Sequence, residues 1–153
     1  MKAVLQRVSS ASVAVDGVTV GECGRGLMIL LGVAEGDTWE DGERLLQKIV
    51  KLRIFEDEDG KMNRSITDMG GELLVISQFT LLANYRRGNR PDFISAAKPD
   101  VANELYERFC REAENYVSHV GRGIFGADMK VSLVNDGPVT IVMDSDVLKS
   151  PKN

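Results

Sequence analysis

The chain has 153 residues, 43% hydrophobic and 27% charged, with a net charge of −4 from 19 basic and 23 acidic side chains. That length suits one domain with a core of its own. The acidic balance excludes a polycation that grips nucleic acid over its whole surface, so any such contact must come from a local patch.

Two cysteines, Cys23 and Cys110, stand far apart in no metal-like spacing, which reads as a reduced, intracellular protein, with a single disulfide as the alternative. The start, MKAVLQRVSS, lacks the apolar stretch of a signal peptide. The longest apolar run, LMILLGVA, falls far short of the ~20 residues that a membrane span needs. A cytoplasmic location is the expectation.

In chain order, the first third reads as β. AVLQRVSSASVAV alternates over much of its length, and Asp16-Gly17 between SVAV and VTVGE is a strong hairpin signal. GLMILLGV is a continuous apolar run, as expected of a strand covered on both faces. Asp37 or Thr38 then caps a helix, with Glu40 three residues after Asp37 as in a capping box. Leu45, Leu46, Ile49 and Val50 form its apolar stripe.

LRIFED returns to strand, DEDGK reads as a turn, and GELLVISQFTLL is a second buried strand after Gly70-Gly71. ANYRRGNRPDFISAAK has no periodicity and is long for a connection, which points to function or disorder. Pro99 and Asp100 suit the first turn of a helix whose apolar period runs from Ala102 to Val120, with Gly121 as its stop. DMKVSLV and VTIVM are the last strands, with NDGP between them. Turn residues and a proline in that position suggest a hairpin, or else rigid bare backbone aimed at a ligand. The fold expected is a single α+β domain over residues 1–145 with a frayed tail at 146–153. Two main helices pack on largely antiparallel sheet in a β/β/α layered or barrel-like arrangement.

Several chemistries are excluded or weakened. The single histidine, His119, near the end of the long helix, reads as a surface or capping residue rather than as a triad member. One His and two separated Cys cannot make a metal cluster, and GxGxxG and GxxxxGK[ST] are missing, so neither metal nor cofactor is expected. EDEDG lacks the twelve-residue calcium pattern and reads as a solvated turn.

Two segments stand out instead. The strand ELLVI ends in Ser77, Gln78, Phe79 and Thr80, which brings hydroxyls, an amide and main-chain N–H groups to one rim, or merely satisfies the end of a ladder. Arg86, Arg87 and Arg90, beside Tyr85 and Phe93, form either a solvated loop or a grip on phosphates with an aromatic for a base.

Taken together, QRVSSASV, GRGLMILLGV, LRIFEDEDGKMN, GELLVISQFTL and FGADMKVSLVNDGPVT resemble the D-aminoacyl-tRNA deacylase family over nearly the whole chain. SQFTL followed by NDGPVT is the specific pair. The resemblance implies a homodimeric, metal-independent esterase that removes D-amino acids, and possibly mischarged glycine, from tRNA. It also implies that Gly137-Pro138 is cis and reaches into the partner's active site. Two positions depart from the family pattern: Arg122 stands where Thr is common, and Asp92 where a small residue follows Arg-Pro.

The physical expectations follow from the task. A proofreader of handedness must tolerate many side chains while sensing one configuration at Cα, and rigid main chain held close to Cα does that. The carbonyls of Gly137 and Pro138 are therefore expected to meet the substrate ammonium, with Arg7 bracing the kink, as the resemblance also suggests. Backbone N–H groups near Phe79 and Thr80 form a candidate oxyanion hole. Either Thr80 or the 2′-OH of the terminal adenosine activates the ester, the latter favoured because no base is visible for Thr80. Phe125 and Met129 line the adenosine pocket or belong to the core, and Arg86, Arg87 and Arg90 are the tRNA-binding candidates. The alternatives are a tRNA-binding module without catalysis and a structural dimer.

Overall fold

One long strand, β1 (Lys2–Val15), organises the molecule, which is described over residues 1–149 from a computed structural model. Along one edge its first half pairs antiparallel with β3 (Gly26–Gly32), and its second half with β2 (Val18–Cys23). Along the other edge it pairs with β8 (Lys130–Asp144) over nearly its full length. The β1–β2 turn is the expected one: Asp16 and Gly17 have φ of 49° and 78°, the two left-handed residues that a tight two-residue hairpin requires.

β6 (Glu72–Ser77) lies parallel to β3, and β7 (Val120–Arg122) parallel to β6, so the sheet is mixed rather than purely antiparallel. The far strand β7 returns against β2. A Cβ on Gly21 would lie 2.1 Å from the Arg122 carbonyl oxygen, and one on Gly121 would lie 2.4 Å from that of Glu22. Only glycine permits this approach, and it nearly closes the sheet into a barrel.

The continuous apolar runs are explained by this closure. Leu27, Ile29 and Leu31 of β3 and Leu73 and Val75 of β6 face the helices. Their neighbours Met28, Leu74 and Ile76 face the barrel interior with Val8, Val13 and Cys23. Each strand is buried on both faces, so alternation disappears from its sequence.

On the outer layer lie α1 (Trp39–Lys51) and α2 (Pro99–Ala113), with a cation–π contact of Arg108 over Trp39 at 4.5 Å. Thr38 caps α1, and the acidic partner that bonds its N–H is Asp41 at 3.0 Å, not the Glu40 expected from the spacing.

Four expectations are revised. LRIFED contributes only a two-residue strand, β4 (Phe55–Glu56), which pairs with β5 (Met62–Arg64) around the Asp57 turn. GELLVISQFTLL is strand only to Ser77, after which Phe79–Leu82 winds into a 3-10 turn. Helix α2 ends at Ala113 although the apolar period continues, because the chain beyond it is recruited to the sheet: Leu73 N–H donates to His119 O at 3.0 Å. The tail does not fray from residue 146, since Ser145–Lys149 form a short helix, α3, that Lys149 ties to Asp41 at 2.6 Å. The rest of that tail, residues 150–153, lies outside the described residues.

Candidate active site

The end of β6 supplies the first part of the site. Gln78 N–H donates to Leu31 O at 2.8 Å, which completes the parallel pairing, and the chain then turns into the 3-10 segment. In such a turn the first N–H groups have no partner of their own. Leu81 N–H donates to Gln78 O at 3.3 Å and Ala83 N–H to Thr80 O at 3.2 Å. Among the described residues, the N–H groups of Phe79 and Thr80 donate to no backbone carbonyl. The Gln78 side-chain amide donates to the Thr80 hydroxyl, and Phe79 and Thr80 are exposed.

These residues stand at a cleft of about 650 Å³. Ser77, Gln78 and Phe79 form one wall, Phe125 and Met129 another, and the start of α2 with Ala96 and Ala97 a third. Phe125 also packs against the helix-side core and against Tyr106 at 6.4 Å, while Met129 packs against the barrel interior. Each of these two side chains is core on one side and cleft wall on the other. Phe79, 55% exposed, meets Phe93 edge-on at 5.0 Å.

Ala96, Ala97, Lys98 and Pro99 complete the cleft and were not anticipated from sequence. Small residues just before a helix starting at proline were their only signal. Ala97 N–H donates to Val33 O at 2.9 Å, which pins this wall to the end of β3.

Gly137-Pro138 is not a hairpin. β8 runs straight through it as one strand, with an irregularity: Gln6 pairs with Thr140 and Val8 with Asn135, two steps along β1 against five along β8. The surplus residues form an exposed kink with the Gly137–Pro138 bond cis. Arg7, buried beneath it, donates from Nε to Asp136 O and from Nη1 to Ile54 O, both at 2.9 Å. Asn135 Oδ1 accepts from Val139 N–H at 3.1 Å. Within one chain, then, Ser77, Gln78, Phe79, Phe125 and Met129 line the cleft, whereas Thr80, Arg7, Gly137 and Pro138 do not, Thr80 following Phe79 in the 3-10 turn.

Arg86, Arg87 and Arg90 are exposed, and among the described residues none forms an ion pair. Arg122 and Asp92 both have structural partners. Arg122 bridges Glu107 at 3.0 Å and Glu114 at 2.9 Å, which fastens β7 to α2 and its C-terminal end. Asp92 pairs with Asn84 through main chain and side chain.

Neither cysteine is poised as a nucleophile. Burial pushes the Cys23 thiol up to about 11 and the Cys110 thiol up to about 12, far from a thiolate at neutral pH. His119 holds the carbonyl of Glu22 at 2.7 Å and lies outside the cleft. The groups this chain offers at the cleft are amide donors and hydroxyls at the end of β6, with the charged Lys98 and Asp128 on the opposite lining.

The profile of a family described as D-Tyr-tRNA(Tyr) deacylase matches residues 4–144. The chain belongs to that family. It is 61% identical over 148 residues to a D-aminoacyl-tRNA deacylase of Sulfurihydrogenibium sp. (strain YO3AOP1), covering 97% of this chain and all of that one. A protein of the same name from Roseiflexus castenholzii is 55% identical over 153 residues, with 100% and 98% covered. Among solved structures, one titled c-Myc DNA Unwinding Element Binding Protein superposes with a TM-score of 0.89 at 42% identity, covering 99% and 100% of the two chains. A probable eukaryotic D-amino acid tRNA deacylase shares the fold, with a TM-score of 0.78 at 21% identity over 94% and 98%. In this deacylase-family chain the matched span includes the strand-end residues, the cleft walls and the braced kink alike.

Proposed function

We infer that the chain hydrolyses the ester bond of D-aminoacyl-tRNA, releasing D-amino acid and free tRNA. The observation that carries this reading is the pair of free N–H groups, Phe79 and Thr80, beside an apolar cleft in a chain 61% identical to a protein named D-aminoacyl-tRNA deacylase. An ester carbonyl oxygen gains negative charge as it is attacked, and fixed donors aimed at it are worth about 10²–10³ each in rate. Phe125 and Met129 offer apolar surface to the terminal adenosine, and the exposed arginines at 86, 87 and 90 lie on a loop that runs back into the cleft wall at Phe93. In the first route the 2′-OH of that adenosine activates a water, whose oxygen attacks the carbonyl; the bond to the tRNA 3′-oxygen breaks and that oxygen takes the water's proton. In the second, Thr80 Oγ attacks, its proton passes to the departing 3′-oxygen, and water then cleaves the acyl-Thr80 ester, giving its hydroxyl to the acid and its proton back to Thr80.

Selection by hand is assigned to Gly137 and Pro138. Their exposure, the bracing by Arg7 and their absence from their own cleft support a homodimer in which each kink enters the partner's cleft. The outer edge of β8 supports the same reading: it pairs with no strand among the described residues and carries the exposed Val134 and Val142. Such an edge invites pairing with another chain. Cytoplasmic action and removal of glycine from mismatched tRNA belong to this proposal as well.

The test is incubation with matched D- and L-tyrosyl-tRNA in the presence of a chelator. Release of D-tyrosine alone is expected. Equal cleavage of both overturns the chirality reading, and tRNA binding without turnover favours a binding module.

A further inference from the structure

The loop that carries the three arginines is closed at its neck by one residue pair. Asn84 and Asp92 exchange two main-chain hydrogen bonds, Asn84 N–H to Asp92 O at 2.8 Å and Asp92 N–H to Asn84 O at 3.0 Å. Their side chains bond again, Asn84 Nδ2 to Asp92 Oδ2 at 3.1 Å. The remaining polar atoms point along the chain: Asp92 Oδ1 accepts from Ile94 N–H at 3.3 Å, and Asn84 Oδ1 from Arg86 N–H at 3.2 Å. Seven residues, 85–91, are thus held in a closed loop with Gly88 in the left-handed region at φ 62°. The chain leaving the neck carries Phe93, which packs on Phe79 at the cleft.

We propose that Asp92 is a positioning residue for RNA: it locks the loop so that Arg86, Arg87 and Arg90 meet the phosphates of a tRNA whose acceptor end occupies the cleft. This rests on the deacylase reading above. Three cations on a slack loop would each have to be ordered on binding, whereas a closed neck removes that cost beforehand. Continuity supplies the second argument, since the Phe79–Phe93 contact fixes the loop's base to the same wall that holds the free N–H groups.

Electrostatics alone makes the opposite forecast, which gives the test its edge. Removing a carboxylate beside three arginines strengthens the local positive potential and should tighten RNA binding. Locking forecasts a weaker grip. The experiment measures steady-state hydrolysis of D-tyrosyl-tRNA by wild type, Asp92→Ala, Asp92→Asn and Asn84→Ala, with thermal unfolding of each. We expect KM to rise about ten-fold in Asp92→Ala and in Asn84→Ala, with kcat within about two-fold and Tm little changed. Asp92→Asn, which keeps an oxygen for the neck, should recover part of the loss. Asn84→Ala removes the side-chain bond across the neck but leaves the carboxylate, so it must shift KM in the same direction. An unchanged or lowered KM in Asp92→Ala overturns the proposal, as does a fall in kcat without a change in KM. Wild-type protein that turns over normally while its KM ignores both neck residues sinks this inference alone; wild type with no turnover sinks the deacylase reading and this inference with it.

Discussion

Arg7 and Asp136 are joined across the β1–β8 pairing by a 2.9 Å hydrogen bond, from the guanidinium Nε to the main-chain oxygen immediately before Gly137. The same side chain reaches Ile54 O at 2.9 Å from Nη1. One buried cation therefore anchors an exposed kink to the interior. Arg7→Ala would leave both oxygens without this donor, at a cost of about 2 kcal/mol or more. Because a misplacement of about an ångström costs on the order of 10²-fold, kcat/KM on D-tyrosyl-tRNA should fall by roughly that factor. Urea unfolding and turnover on both enantiomers check it together. A variant as selective as wild type would separate Arg7 from substrate selection.

Thr80 decides the order of attack. Its hydroxyl is held by the Gln78 amide, a donor, which does nothing to take its proton away. Thr80→Ala should therefore retain hydrolysis to within about ten-fold, through the 2′-OH of the substrate. Single-turnover rates read the difference, and a loss of about 10⁴-fold in a folded protein would assign the attack to Thr80.

Acid stability has a named contributor. Burial pushes the Asp41 carboxyl up, but hydrogen bonds from Lys149, Thr38 N–H and Ser145 outweigh it and hold the pKa at about 2, below the usual 3.8. A pKa lowered by folding stabilises the protein above about pH 4, and that share is lost as the pH falls from 4 through 2. The expected share is about 2 kcal/mol, absent in Asp41→Asn. Urea titrations of both proteins from pH 7 to pH 2 should converge at the acid end.

Arg122 belongs to the scaffold. Arg122→Thr breaks ion pairs to Glu107 and Glu114 that are partly open to solvent, which costs about 1 kcal/mol or less. Turnover and the KM for tRNA should stay at wild-type values, and a changed KM would move Arg122 to the RNA side.

Local signals were legible wherever short-range chemistry decides conformation. The Asp16-Gly17 hairpin, the proline start of α2 and the apolar stripe of α1 all read directly from spacing, because turn, cap and period are properties of neighbouring residues. Of the cleft, the walls at Ser77–Phe79 and at Phe125 and Met129 were legible, and Gly137-Pro138 was legible as an unusual stretch of backbone apart from it. The cleft's third wall, Ala96 to Pro99, was not, since alanines carry no chemical signal until a fold sets them opposite something.

By itself the sequence determined β1, β2, β3 and the first part of β6, where both main helices begin, and a family resemblance strong enough to name candidate residues. Only the tertiary structure decided that α2 yields to a strand after Ala113, that β8 passes unbroken through Gly137-Pro138, and that Arg7 lies beneath the kink. The reason is the same in each case. These outcomes depend on partners distant in the chain, such as Leu73 for His119, β1 for β8 and Asp136 for Arg7, and no local propensity encodes a partner that far away.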